Sequence, residues 1–174
     1  MIVTDRLILH PWQERHRSAF ILMHADGEVM ADQGGPLAAP EGSAKFDRYR
    51  AALDEHGTSR WAVETPAGLF IGYAGVMPRP DEYHPLGPHF EIGWRFRREA
   101  WGKGHATEAA RAALDHARSV VRITDIVSYT GADNLRSQAV MARLGFRREA
   151  SRDFMQRLPD GTSWHGLVWE VPTH

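Results

Sequence analysis

Near Gly104 the spacing of apolar positions changes from every second residue to every third or fourth, and that change defines the central part of the chain. From His89 to Phe96, Phe90, Ile92, Trp94 and Phe96 alternate with Glu91, Gly93 and Arg95, the period of a half-buried strand. Beyond Gly104, Ala106, Ala110, Ala113, Leu114, Ala117, Val120 and Val121 recur at helical spacing, with Glu108, Arg111, Asp115 and Arg118 between them. A strand, a basic turn carrying Gly102 and Gly104, and a long helix are predicted in succession. The alternation turns Glu91 away from the apolar face.

The same reading covers the rest of the chain. Arg6 to Pro11 is expected as an edge strand and Gln13 to Ala25 as a surface helix with Phe20, Ile21 and Met23 on its apolar side. Gly34 to Glu41 is punctuated as a loop, and Ser43 to Glu55 repeats Phe46, Tyr49, Ala52 and Leu53 as a charged helix would. Strands at Arg60 to Glu64 and Leu69 to Met77 flank the turn formers Pro66, Ala67 and Gly68. Met77 to Pro88 holds four prolines, which lack the amide protons a sheet needs, and is expected as a loop. A strand at Asp125 to Thr130 and a helix at Asn134 to Leu144, closed by Gly145, come next. Strands at Phe146 to Gln156 and Ser163 to Val171, joined through Pro159, Asp160 and Gly161, complete the order. This is an α+β arrangement with one βαβ crossover, a mixed and mostly antiparallel sheet of about seven strands with about four helices.

Composition narrows the class of function. The 174 residues suit one domain, and 43% hydrophobic with 25% charged residues is an ordinary globular balance. A net charge of −1 points to no nucleic-acid surface. With no cysteine there is neither disulfide nor thiolate chemistry. No basic leader or long apolar run is present, so a soluble, cytoplasmic protein without a membrane partner is expected. Ten histidines show no tight ligand spacing, and no metal site is predicted.

The turn before the long helix carries the chemistry. Gly102 and Gly104 let a ligand approach the backbone, and the first helical turn has N–H groups without internal partners and a dipole that favours an anion. A phosphate or diphosphate is held this way; the plainer alternative is a tight turn and nothing more. A dinucleotide fingerprint fails because Thr107 stands where its last glycine belongs, and a P-loop fails because Gly104 follows Lys103 in place of Ser or Thr.

The run EIGWRFRREAWGKGHATEAARAAL resembles the acetyl-CoA motif of the GNAT acetyltransferase superfamily, with Trp101, Gly104 and Ala106 at its named positions. Trp101 departs from the usual Arg or Gln, and in doing so resembles the RimJ/RimL branch of N-terminal acetyltransferases, as does the opening TDRLILHPW. NLRSQAVMARLGFRRE is similar to the family's second conserved segment. The resemblance covers essentially the whole chain. It implies an acetyl-CoA-dependent N-acetyltransferase, with acetyl-CoA along Trp94, Arg95 and Phe96 and its diphosphate on Trp101, Gly102, Lys103, Gly104, His105, Ala106 and Thr107. A homodimer is a family-level expectation, and the first helix pair with its loop borders the acceptor site.

Acetyl transfer needs a neutral amine, a donor to the developing oxyanion and a proton for the departing thiolate. At pH 7 a lysine amine costs about 4–5 kcal/mol to deprotonate and an α-amino group only about 1 kcal/mol. A protein N-terminus or a small amine are therefore the acceptors considered, beside a non-catalytic CoA-binding module. Glu91 is the candidate base; its alternative is a surface glutamate paired with Arg95. Backbone amides near Trp94 and Arg95 are the oxyanion candidates. By the resemblance Asn134 holds the pantetheine arm and Ser137 lies near the thiolate, whereas Asn134 could equally be a helix N-cap. Met141 occupies the family's usual tyrosine position and cannot donate a proton. Lys103 is either a phosphate ligand or a solvated lysine. Trp61, Trp94, Trp164 and Trp169 read as core, with Arg60 and Trp61 candidates to border the acceptor pocket.

Overall fold

The computed structural model describes residues 1–157 and 161–171. Its strands are β1 (Ile2–Val3), β2 (Ile8–His10), β3 (Arg60–Glu64), β4 (Phe70–Arg79), β5 (His89–Phe96), β6 (Ile126–Thr130), β7 (Arg147–Arg148), β8 (Phe154–Arg157) and β9 (Ser163–Glu170). Its helices are α1 (Arg17–His24), α2 (Ala39–His56), α3 (His105–Ser119) and α4 (Leu135–Arg143). The sheet runs β1-β2-β3-β4-β5-β6-β9-β7, with β8 added to β9, and only β5 and β6 are parallel. The α+β class and the crossover through α3 match the sequence reading. The nine strands exceed the expected seven or so because β1 is a two-residue pairing too short to leave a periodic trace and because one expected strand is broken into β7 and β8.

Several boundaries differ for identifiable reasons. The expected loop at Gly34 to Glu41 ends early: Pro40 lies in the first turn of α2, where its missing N–H costs nothing, and Glu41 reaches back to accept the Ala38 N–H at 2.9 Å. Strand β4 continues through Pro78 to Arg79 instead of stopping at Met77, pairing Pro78 with Phe90 and Arg79 with His89. Helix α3 ends at Ser119, leaving Val120 as its C-cap and Val121 beyond it. The expected strand at Phe146 to Gln156 is broken into β7, a 3-10 turn at Ala150–Arg152, and β8. Strand β2 is flanked by β1 and is not the edge. Of the last hairpin, Pro159 and Asp160 lie outside the described residues.

Both faces of the central strands are covered. On one, α3 buries Ala109, Ala110, Ala113, Leu114 and Ala117 against Ala74, Val76, Ile92 and Phe96; small side chains let the helix lie close to the sheet. On the other, α1 and α2 bring Phe20, Phe46 and Tyr49 against Trp12, Tyr73 and Met77. Glu91 and Arg95 belong to this second face, so the polar half of β5 looks onto a helix layer and not onto solvent.

The pairing of β5 with β6 is short. Only Phe90↔Ile126 and Glu91↔Val127 are in register, after which the two parallel strands separate. Arg97 N–H donates to Ile71 O at 2.9 Å, which places the odd-numbered amides of β5 in the ladder with β4. The N–H groups of Trp94 and Phe96 therefore turn into the gap beside β6.

Candidate active site

A cleft of about 1030 Å³ opens at this gap and runs to the start of α3. Its floor includes Trp94, Arg95 and Phe96, its far end Trp101, Gly102 and Gly104 with His105, Ala106 and Thr107, and its α4 wall Asn134 and Ser137. These eleven positions were singled out from the sequence, and the fold brings them to one surface. Lys103 is the exception: it is not in the lining, and its carbonyl accepts from Arg6 Nη1 at 2.9 Å.

The far end is built to meet an anion. Gly102 and Gly104 have φ of 72° and 79°, the left-handed region that glycine enters without strain, and Gly104 is the N-cap of α3. The first intrahelical bond in this turn is Glu108 N–H to Gly104 O at 3.1 Å, so the amides of His105, Ala106 and Thr107 keep no partner within the helix. His105 Nδ1 is buried without a hydrogen-bond partner. Arg136 stacks its guanidinium 4.0 Å from the Trp101 ring, whose Nε1–H donates to Phe96 O at 2.8 Å. The aromatic side chain at 101 thus ties the end of β5 to α4 across the cleft. A long ligand carrying a diphosphate suits this combination of a groove and unpaired amides.

Asn134 caps α4 by accepting the Ser137 N–H at 3.1 Å on its side-chain oxygen, and its Nδ2 donates to Asp32 Oδ2 at 3.2 Å. Asp32 also receives both Nη groups of Arg95, at 2.7 and 3.1 Å. A loop between α1 and α2 is thereby fastened to β5 and α4 over the gap. Met141, at the family's tyrosine position, is 1% exposed in the core.

A second cavity of about 230 Å³ lies beside the cleft, under α2, and Asp32, Trp94, Arg95 and Ser137 line both. Glu91 stands in its wall, but not as the sequence suggested. It is 8% exposed, and its partners are Arg60, at 3.0 Å from Nη2 to Oε2, and Arg79, whose Nε donates at 2.6 Å; Arg95 is engaged elsewhere. Gly93 makes the Arg60 contact possible, since a Cβ there would stand 2.7 Å from Arg60 Nη2. Burial alone would raise the Glu91 carboxyl, yet the charges of Arg79 and Arg60 hold it below its ordinary 4.5.

Several other residues here carry no signature in the sequence. Arg79 fell in an expected loop, Asp32 carried no motif, and Lys45, Arg48 and Tyr49 read as ordinary positions of α2; Arg60, an expected border residue, does line the cavity. Burial pushes the Tyr49 phenol up, but Lys45, Arg60 and Arg79 outweigh it and bring it to about 8. Trp61 is buried in the α3-side core against His116 and borders neither cavity. Trp169 packs on the same core, while Trp94 and Trp164 line cavities as well as packing. Among the described residues no group of three or more His, Asp or Glu side chains is placed to hold a metal ion.

Residues 6–147 match the model of the acetyltransferase (GNAT) domain family, which is most of the chain. An uncharacterised Bacillus subtilis protein, YkkB, is 29% identical over 147 residues, 83% of each chain. The FsC-acetyl coenzyme A-N(2)-transacetylase of Aspergillus fumigatus is 29% identical over 148 residues, 82% of this chain and 63% of its own. The crystal structure of an acetyltransferase from Agrobacterium tumefaciens superposes with a TM-score of 0.80 at 26% identity, covering 99% of this chain and 94% of that one. The chain belongs to the GNAT family of acetyltransferases.

Proposed function

We propose that this GNAT-family acetyltransferase moves the acetyl group of acetyl-CoA to a primary amine by direct attack on the thioester, within a single domain. The observation that carries the reading is the junction of the two cavities: the cleft that suits coenzyme A meets the smaller cavity at Trp94, Arg95 and Ser137.

The amide set between Gly104 and Thr107 would take the diphosphate of acetyl-CoA, and the gap between β5 and β6 its pantetheine arm. The Trp94 N–H, turned into that gap, would donate to the carbonyl oxygen as it becomes an oxyanion. An amine in the second cavity forms the new C–N bond as the C–S bond breaks, and the nitrogen becomes positively charged during attack. Glu91 acts there as a fixed negative charge rather than as the group that keeps the amine proton, because two guanidiniums hold its carboxylate ionised. The proton leaves through water, a small demand for an α-amino acceptor. Ser137, in both walls, would pass its proton to the thiolate and take back the one that the amine releases through water, a relay that the Met141 thioether cannot join.

Two acceptor classes remain within the reading. Trp101 before Gly102 favours the RimJ/RimL-like branch and a protein N-terminus, with a cytoplasmic setting; the small volume of the cavity, about 230 Å³, favours a small amine. Thiol release from acetyl-CoA, measured against peptides with free N-termini and against small amines, separates them. Binding of coenzyme A without thiol release for either panel would leave a non-catalytic binding module instead.

A further inference from the structure

The acceptor cavity is far more cationic than the protein around it. The chain carries a net charge of −1, yet five cationic side chains line this cavity against two carboxylates. Both carboxylates are already engaged: Glu91 by Arg60 and Arg79, Asp32 by Arg95. Lys45 and Arg48, from adjoining turns of α2, remain. Among the described residues neither has a carboxylate within salt-bridge distance, and both lie over the Tyr49 ring, 6.0 and 5.7 Å from its centroid.

Arg48 is exposed at the mouth of the cavity, but Lys45 is half-buried, and uncompensated positive charge there is costly, since nearby like charges repel and solvent screens them less than at the open surface. The Lys45 ammonium registers this: burial first, and then Arg95, Arg48 and Arg79, with Tyr49 opposing, bring it below its usual value. A ligand anion at this place would supply the missing counter-charge. Lys45 and Arg48 offer donors to it from one side, and Arg79 has an edge toward the same space.

Building on the acetyl-transfer reading, we infer that the acceptor is a small amine that also carries an anionic group, a carboxylate or a phosphate, seated on Lys45 and Arg48 while its nitrogen faces Trp94 and Ser137. A cavity of about 230 Å³ holds a molecule of amino-acid size. A polyamine would bring more positive charge to a surface that already has an excess. The anion-binding pair lies on α2, outside the groups that face the thioester, so it sets specificity without entering the chemistry.

The test is binding to protein saturated with coenzyme A, so that the phosphate-binding end of the cleft is filled. The probes are an N-acetyl amino acid against its carboxamide, and N-acetylphosphoethanolamine against N-acetylethanolamine, measured by calorimetry. These are not acceptors, so the readout does not depend on turnover. At least tenfold tighter binding of one anionic member is expected, and which pair discriminates identifies carboxylate or phosphate. In Lys45→Gln/Arg48→Gln, with folding checked by circular dichroism and coenzyme A affinity as control, discrimination should fall below about threefold, whereas Lys45→Arg, which keeps the charge, should retain most of what Lys45→Gln loses. Equal binding of anionic and neutral probes, no binding of either, or discrimination that survives the double substitution would overturn the inference. Selective anion binding with no thiol release for any amine would leave this inference standing and remove the acetyl-transfer reading instead.

Discussion

Arg79 donates its Nε–H to Glu91 Oε2 at 2.6 Å, from the neighbouring strand β4 and from the end of that strand which the prolines had marked as loop. Arg60 closes the same carboxylate from the other side at 3.0 Å and is itself 3% exposed. Glu91 is thus the counter-ion of a buried pair before it is anything else, and its chemistry follows from that.

Glu91→Gln should lower stability by about 3 kcal/mol, because Arg60 is left buried without its counter-charge. Adding Arg60→Met should recover part of that loss, which urea denaturation of the two variants would measure. The Glu91 carboxyl is depressed when folded, so the stability it contributes is present above its unfolded value of 4.5 and is lost as the pH falls below it. The pH–rate profile should accordingly have no Glu91 inflection between pH 5 and 9. An inflection there that Glu91→Gln abolishes would restore Glu91 as the base.

His24 should make the fold acid-sensitive. Its Nδ1–H donates to Phe20 O at 2.9 Å, leaving Nε2 to accept from the Tyr73 hydroxyl at 3.4 Å, so the ring is neutral with both nitrogens in use. Burial, then the nearby Lys45 and Arg95, outweigh the Phe20 carbonyl and bring it to about 3. The unfolded chain binds a proton that the folded one refuses, so this contribution is full above pH 6.5 and is lost as the pH falls toward 3, a change on the order of 5 kcal/mol. Denaturation midpoints from pH 8 to 4 should show the slope, and His24→Leu should flatten it.

Gly104→Ala tests the turn before α3. A left-handed φ of 79° with a Cβ costs about 1–2 kcal/mol, and that Cβ would stand 3.3 Å from Arg6 Nη2. A turn displaced by that strain should weaken coenzyme A binding roughly tenfold by calorimetry, since the amides that follow lose their aim. Unchanged affinity would place the diphosphate elsewhere.

Ser137→Ala should reduce kcat by about 10²-fold with the KM for acetyl-CoA within threefold, if thiolate protonation is its work. The backbone N–H that Asn134 accepts from survives the change, so the α4 cap is retained. Steady-state thiol release is the measurement, and equal losses in kcat and in coenzyme A affinity would point to a packing role instead.

The elements were legible in the sequence because helix and strand periods are local properties. Arg60–Glu64 and His89–Phe96 have the predicted ends, and Gly104, Asn134 and Gly145 mark the start of α3 and the two ends of α4 as their turn chemistry requires. The GNAT assignment rests on two such local segments in the right order, and the family match extends over both. What the sequence could not fix was the company each side chain keeps. Alternation put Glu91 opposite Ile92, but only the packing of α2 on that face decided that it would be buried, and only a β4 longer than its prolines implied brought Arg79 to it. The charge of the second cavity was invisible for the same reason: Lys45, Arg48, Arg60, Arg79 and Arg95 come from three strands and a helix, and charges add by distance in space, not by separation along the chain.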